Sequence, residues 1–169
     1  EAEFQLEDYK SKLNADTLSH DIKVGEIARS FLKLDYIEDV ILEHQIKNLS
    51  INPIDLKIFP DAIFKGIRNN IPYKMAFELE LNRKSKDRLL DKISSYLSSD
   101  QIDYVLYFLS SESLVKKYYL RFKDKFGEKF TKKFMFFGSD NLNFSKNNIM
   151  DVQGIFRGST YKIKELFSG

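Results

Sequence analysis

The chain has no cysteine, which excludes disulfides and thiolate metal sites and fits a reducing cytoplasm. Its two histidines, His20 and His44, are too few for a histidine-rich zinc centre. No apolar run approaches the roughly 18 residues that a membrane span needs. The opening Glu1-Ala2-Glu3-Phe4-Gln5 has no signal-peptide pattern, and no internal repeat or low-complexity linker interrupts the chain. A cytoplasmic protein is therefore expected. What is present is the balance of a globular chain, with 43% hydrophobic and 31% charged residues. A length of 169 residues suits one well-cored domain and would cramp two. We read residues 1–169 as one domain, alone or within a longer protein, with residues 1–18 as an N-terminal arm or helix.

A net charge of +2 hides a segregation. Residues 1–45 hold eleven acids against five bases, whereas Lys116 through Lys133 hold eight bases against two acids. Such a chain is dipolar, with one basic surface suited to a polyanion.

Carboxylates recur where strands are expected. In Met75–Leu81, Phe77, Leu79 and Leu81 alternate with Glu78 and Glu80, the period of a strand. Both glutamates then share one face, their Cα atoms roughly 7 Å apart at about 3.4 Å per residue. Asp61 follows Pro60 inside an apolar run, as if a strand began there. One Asp and two Glu so placed suit a hard divalent cation, Mg²⁺ or Mn²⁺, which takes oxygen ligands and retains waters. The same alternation also describes the wet face of an edge strand. We expect Asp61, Glu78 and Glu80 to converge within metal-bridging distance.

Elsewhere the pattern predicts a helix over 19–34, with Ser19 as N-cap, and a strand over Tyr36–Ile46. Ile51–Asp55 is a loop, Phe59–Phe64 and Tyr73–Leu81 are strands, and Lys65–Pro72 is the loop between them. A basic helix over 84–98 places Lys84, Arg88 and Lys92 on one face, beside Lys86, and buries Leu89, Leu90, Ile93 and Leu97. Tyr104–Leu109 is nearly all apolar, a central strand parallel to its predecessor. A helix over 112–126 sets an aromatic stripe among Lys116, Lys117 and Arg121, which makes it either a core helix with a wet side or a DNA-binding face. A strand over 133–138, a loop over 139–148, a short strand within 149–156 and a terminal helical turn over 161–167 complete the reading.

Three blocks together carry a resemblance: Pro60-Asp61, then Glu78-Leu79-Glu80-Leu81-Asn82-Arg83-Lys84-Ser85, then Asp103-Tyr104-Val105-Leu106-Tyr107-Phe108. Over roughly residues 18–110 the chain resembles the PD-(D/E)XK nuclease superfamily, in the form found in MobC-type relaxases of mobilisable plasmids and replication-relaxation proteins. The resemblance implies an α/β, restriction-endonuclease-like core with a mixed central sheet flanked by helices. It implies a metal held by Asp61, Glu78 and the Leu79 carbonyl, and a metal-dependent endonuclease that nicks plasmid DNA at an origin of transfer alongside other mobilisation proteins. The usual motif ends in lysine where this chain has Glu80, so the expected lysine moves to Lys84, with Lys86 as the alternative. Glu26 or Asp21 supplies an extra acid from the first helix. His20, near one end of that helix, either approaches the site or is a helix-end residue. Lys86, Arg88, Lys92, Lys116, Lys117 and Arg121 are the expected DNA contacts. The competing reading is a DNA-binding accessory or regulatory protein that does not cleave.

Overall fold

The structure is a computed structural model and describes residues 15–48, 59–81, 86–142 and 148–168. Helix α1 is Ala15–Phe31, strand β1 Ile37–Leu42, helix α2 Glu43–Asn48, β2 Ala62–Arg68, β3 Ile71–Glu80, α3 Lys86–Leu97 and β4 Tyr104–Leu109. Then come α4 Glu112–Lys133, β5 Phe134–Gly138, a 3₁₀ turn Ile149–Asp151, β6 Gln153–Phe156, β7 Ser159–Lys162 and α5 Ile163–Phe167.

All seven strands form one mixed sheet in chain order. β1–β2–β3 is an antiparallel meander, β3–β4–β5 is parallel, and β5–β6–β7 is antiparallel again. The parallel steps fall where a helix intervenes, since parallel strands need a crossover. Alternation along β3 then assigns the two faces. Phe77 and Leu79 join a core with Phe31, Ile27, Phe64 and Phe167, under α1 and α5. Ala76 joins the other core with Ile93, Tyr96, Tyr107 and Phe136, under α3 and α4.

The mixed sheet with flanking helices agrees with the sequence reading, while several boundaries move. β2 begins at Ala62 rather than Phe59, because Pro60 has no N–H to place in a ladder. The loop expected at 65–72 is almost all strand, and the turn is only Asn69-Asn70, whose φ values of 52° and 63° asparagine tolerates. β1 stops at Leu42, where the Gln45 side chain accepts from the Leu42 N–H and the chain turns into α2. Ser19 lies inside α1 rather than capping it. Helix α4 runs on to Lys133 across a break at Gly127, whose φ of 62° suits glycine. The expected strand at 149–156 splits into a 3₁₀ turn and β6, and the start of the terminal helical turn is strand β7. The N-terminal arm over 1–14 and the loop over 51–55 lie outside the described residues.

Candidate functional site

Asp61 occupies the bend before β2, and three backbone contacts fix it. Its N–H donates to the Phe77 carbonyl at 3.1 Å, its carbonyl accepts from the Glu43 N–H at 3.0 Å, and its Oδ2 accepts from the Leu79 N–H at 2.7 Å. The carboxylate is thereby clamped to the end of β3. From α1, His20 Nε2 reaches the same place, 3.2 Å from the Leu79 carbonyl and 3.3 Å from Asp61 Oδ2, while its Nδ1 lies 3.4 Å from Asp21. The hydrogen bond to Asp61 raises the imidazole to about 9 against the opposing effect of burial. In return, burial disfavours the Asp61 anion, but His20 outweighs it and holds the carboxyl below its usual range.

Glu78 faces the core under α3 and is 1% exposed. Lys92 Nζ and the Tyr96 hydroxyl both donate to its carboxylate. Burial pushes Glu78 up to about 7, against the pull of Lys92, and the Asp61 charge adds to the rise. Glu80 is also buried, and the end of its strand is held by Ser110, whose N–H donates to the Glu80 carbonyl and whose hydroxyl donates to that of Leu81. Beside Glu78 in the parallel register stands Tyr107, stacked on Phe136. Its hydroxyl is fully buried and has no hydrogen-bond partner among the described residues. Burial first, and then the charges of Glu78, Glu80 and Asp61, raise it well above the ordinary tyrosine value, so it lies within the field of all three acids.

Asp61 and Glu78 are neighbours in this field, but the three carboxylates do not form the expected convergence. Among the described residues no group of three or more His, Asp or Glu side chains is arranged to hold a metal ion. The reason lies in the partners: Asp61 is held by His20 from α1, and Glu78 by Lys92 from α3.

Lys92 is the clearest correction. Expected on a DNA-facing surface with Arg88, its side chain is 13% exposed and salt-bridged to Glu78. It lies one turn from the buried Leu89 and Tyr96, so its stem runs along the core and its ammonium reaches the acid. Arg88 is exposed; Lys84 lies outside the described residues, as does the side chain of Lys86. Lys116, Lys117 and Arg121 are exposed on α4, which begins two residues after Ser110 at the acidic end of the sheet. Asp21 touches His20 from the solvent side. Glu26 sits six residues beyond His20, about 120° away around the helix, off the face that reaches Asp61.

A cavity of about 140 Å³ opens beside the His20–Asp61 pair and brings in Glu43 and His44, so both histidines of the chain line it. Sequence reasoning passed over His44, Tyr96 and Tyr107. His44 comes just after a strand end that no pattern marked, and the tyrosines sit in apolar stripes that read as core. No family model matches the chain, and no similar curated protein or solved structure was found.

Proposed function

We propose that the protein is a metal-dependent DNA endonuclease with a restriction-endonuclease-like core, the nicking domain of a plasmid mobilisation relaxase acting in the cytoplasm at an origin of transfer. The observation that carries this reading is the meeting of the Asp61 carboxylate and the Leu79 carbonyl around one point, which His20 Nε2 takes in this structure, with the buried Glu78–Lys92 pair beside it. The donor set fits Mg²⁺ or Mn²⁺: hard oxygens from Asp61, the Leu79 carbonyl and Glu78, with waters for the rest. A divalent cation held by these residues would supply Lewis-acid charge at the scissile phosphate and a more acidic water.

The residues of the chain do the rest. Asp61, clamped by the Leu79 N–H, orients the acceptor notch. Glu78, whose two oxygens accept from Lys92 and Tyr96, adds its negative charge to the notch. Lys92, on the helix after the two-acid strand, takes the role expected of Lys84 and stabilises the charge that develops on the phosphate. Arg88 and the α4 face of Lys116, Lys117 and Arg121 hold the flanking backbone.

The test is nicking of supercoiled plasmid with Mg²⁺ or Mn²⁺. Asp61→Asn should weaken Mn²⁺ binding in a calorimetric titration. Lys92→Met should slow nicking on the order of 10²-fold with metal binding kept, as expected for loss of one transition-state contact. The second reading, a DNA-binding accessory protein, is favoured by the fact that Asp61 and Glu78 already have cationic partners within the chain. DNA binding without nicking by the wild type under either metal would leave that reading standing and sink the first.

A further inference from the structure

At the opposite end of the same strands, about 20 Å along β3 from Leu79, lies a cleft of about 390 Å³. Its floor is a run of aromatic rings. Tyr73 meets Tyr104 edge-on at 5.9 Å, and Tyr104 meets Phe156 edge-on at 6.0 Å. All three are half-buried. Two guanidiniums stand at its walls, Arg68 from the β2–β3 hairpin and Arg157 from the β6–β7 hairpin, and no carboxylate lines it among the described residues. Arg68 is anchored, donating through Nη1 to the Leu166 carbonyl and lying over the Tyr36 ring. One of its five N–H donors is thereby used and its charge held in place.

Arg157 is the telling residue. It takes the first position of a two-residue turn, with φ of 50°, and Gly158 comes next at 83°. That left-handed conformation favours asparagine or glycine and costs arginine free energy. The strained backbone holds its guanidinium 5.0 Å above the Phe156 ring, at the rim of the cleft. An aromatic floor, two cations and a lining without carboxylates among the described residues describe a receptor for a planar group that carries an anion.

We propose that this cleft binds a nucleotide unit, its base on the Tyr104–Phe156 floor and its phosphate on Arg157 and Arg68. The proposal rests on the nucleic-acid part of the proposed function and is independent of the metal. The unit can belong to a single strand or be a free mononucleotide, and the experiment separates the two. Binding of a labelled short oligothymidylate is measured by fluorescence anisotropy in EDTA, so that the Asp61–Glu78 site takes no part, with thymidine monophosphate as competitor. Arg157→Asn is the informative variant, because Asn-Gly is the pair this turn prefers and the fold should lose nothing in melting temperature. It should weaken the oligonucleotide about five- to tenfold, as expected for one charge-assisted phosphate contact. The log–log salt slope should flatten by about 0.7, the share of one phosphate on a single strand. Tyr104→Leu should weaken binding without changing that slope. Competition by the mononucleotide that Arg157→Asn abolishes would assign the site to a single nucleotide, and an effect on the oligonucleotide alone would assign it to a strand. Unchanged affinity and slope in Arg157→Asn, or a wild type that binds neither probe, would overturn the proposal. Nicking assays with metal are scored separately, so failure of the nuclease reading leaves this result legible.

Discussion

The two faces of the sheet bury comparable apolar cores, but among the described residues the fully buried carboxylates, Glu78 and Glu80, lie on one of them. Under α1 and α5, Phe31 stacks on Phe64 at 4.8 Å and Phe64 meets Phe77 at 5.5 Å in a wholly apolar cluster. Under α3 and α4, the same strand presents Glu78 and Glu80, both buried, with Lys92, Tyr96 and Tyr107 around Glu78. A leucine at 78 would fill such a position without desolvating a carboxylate, and buried ion pairs are poor stabilisers against apolar replacements. The dry face therefore holds the fold, and the charged face carries a chemical feature that stability alone does not call for.

The comparison breaks most visibly at Phe77. Phe77→Ala should cost about 3–5 kcal/mol in denaturant unfolding, the loss expected for emptying a packed aromatic site. Should it cost no more than an exposed substitution, the dry face is not the foundation described here. Lys92→Met, on the other face, leaves Glu78 without its cation and should cost about 3 kcal/mol near pH 8. Near pH 5 that loss should shrink, because a neutral Glu78 needs no partner; an equal loss at both values would mean the pair contributes through packing alone.

The third effect is a pH dependence carried by Glu78. Its folded value of about 7 lies above its ordinary 4.5, so the unfolded chain releases this proton first. Stability from this group is full below about 4.5 and falls as pH rises to about 7, by about 3 kcal/mol at most. His20, raised to about 9, adds a second decline between its ordinary 6.5 and 9. Glu78→Gln should remove the first decline and leave the second; retention of both would place the titration elsewhere. The smallest effect on stability belongs to the outer surface. Replacing Lys116, Lys117 and Arg121 by alanine should change stability by no more than about 0.5 kcal/mol. It should nevertheless flatten the salt slope for duplex DNA by about two to three, at about 0.9 per phosphate. An unchanged slope would move the DNA surface to the Arg88 side.

Much of this arrangement was legible in one dimension. Alternation at Phe77–Leu81 placed Glu78 and Glu80 on one face, and the apolar run at Tyr104–Leu109 marked a central strand joined through a helix in parallel. Gly66 shows what was hidden. A Cβ there would stand 1.9 Å from the Tyr36 carbonyl, a requirement for glycine that arises only once β1 is laid beside β2. The face of α3 misled for a related reason: Lys92 is four residues from Arg88 and reads as solvated, yet a flexible stem lets one of the two turn inward.

Residue periods, the same-face carboxylates and the segregation of basic residues into α4 were determined by the sequence itself, because each depends on spacing within one element. The partners were decided by tertiary structure: His20 with Asp61 and the Leu79 carbonyl, Lys92 and Tyr96 with Glu78, and the rings of Tyr73, Tyr104 and Phe156 beneath Arg157. Each joins elements distant in the chain. Burial and charge, which set proton affinities and open or close a cleft, come from neighbours that only folding brings within reach.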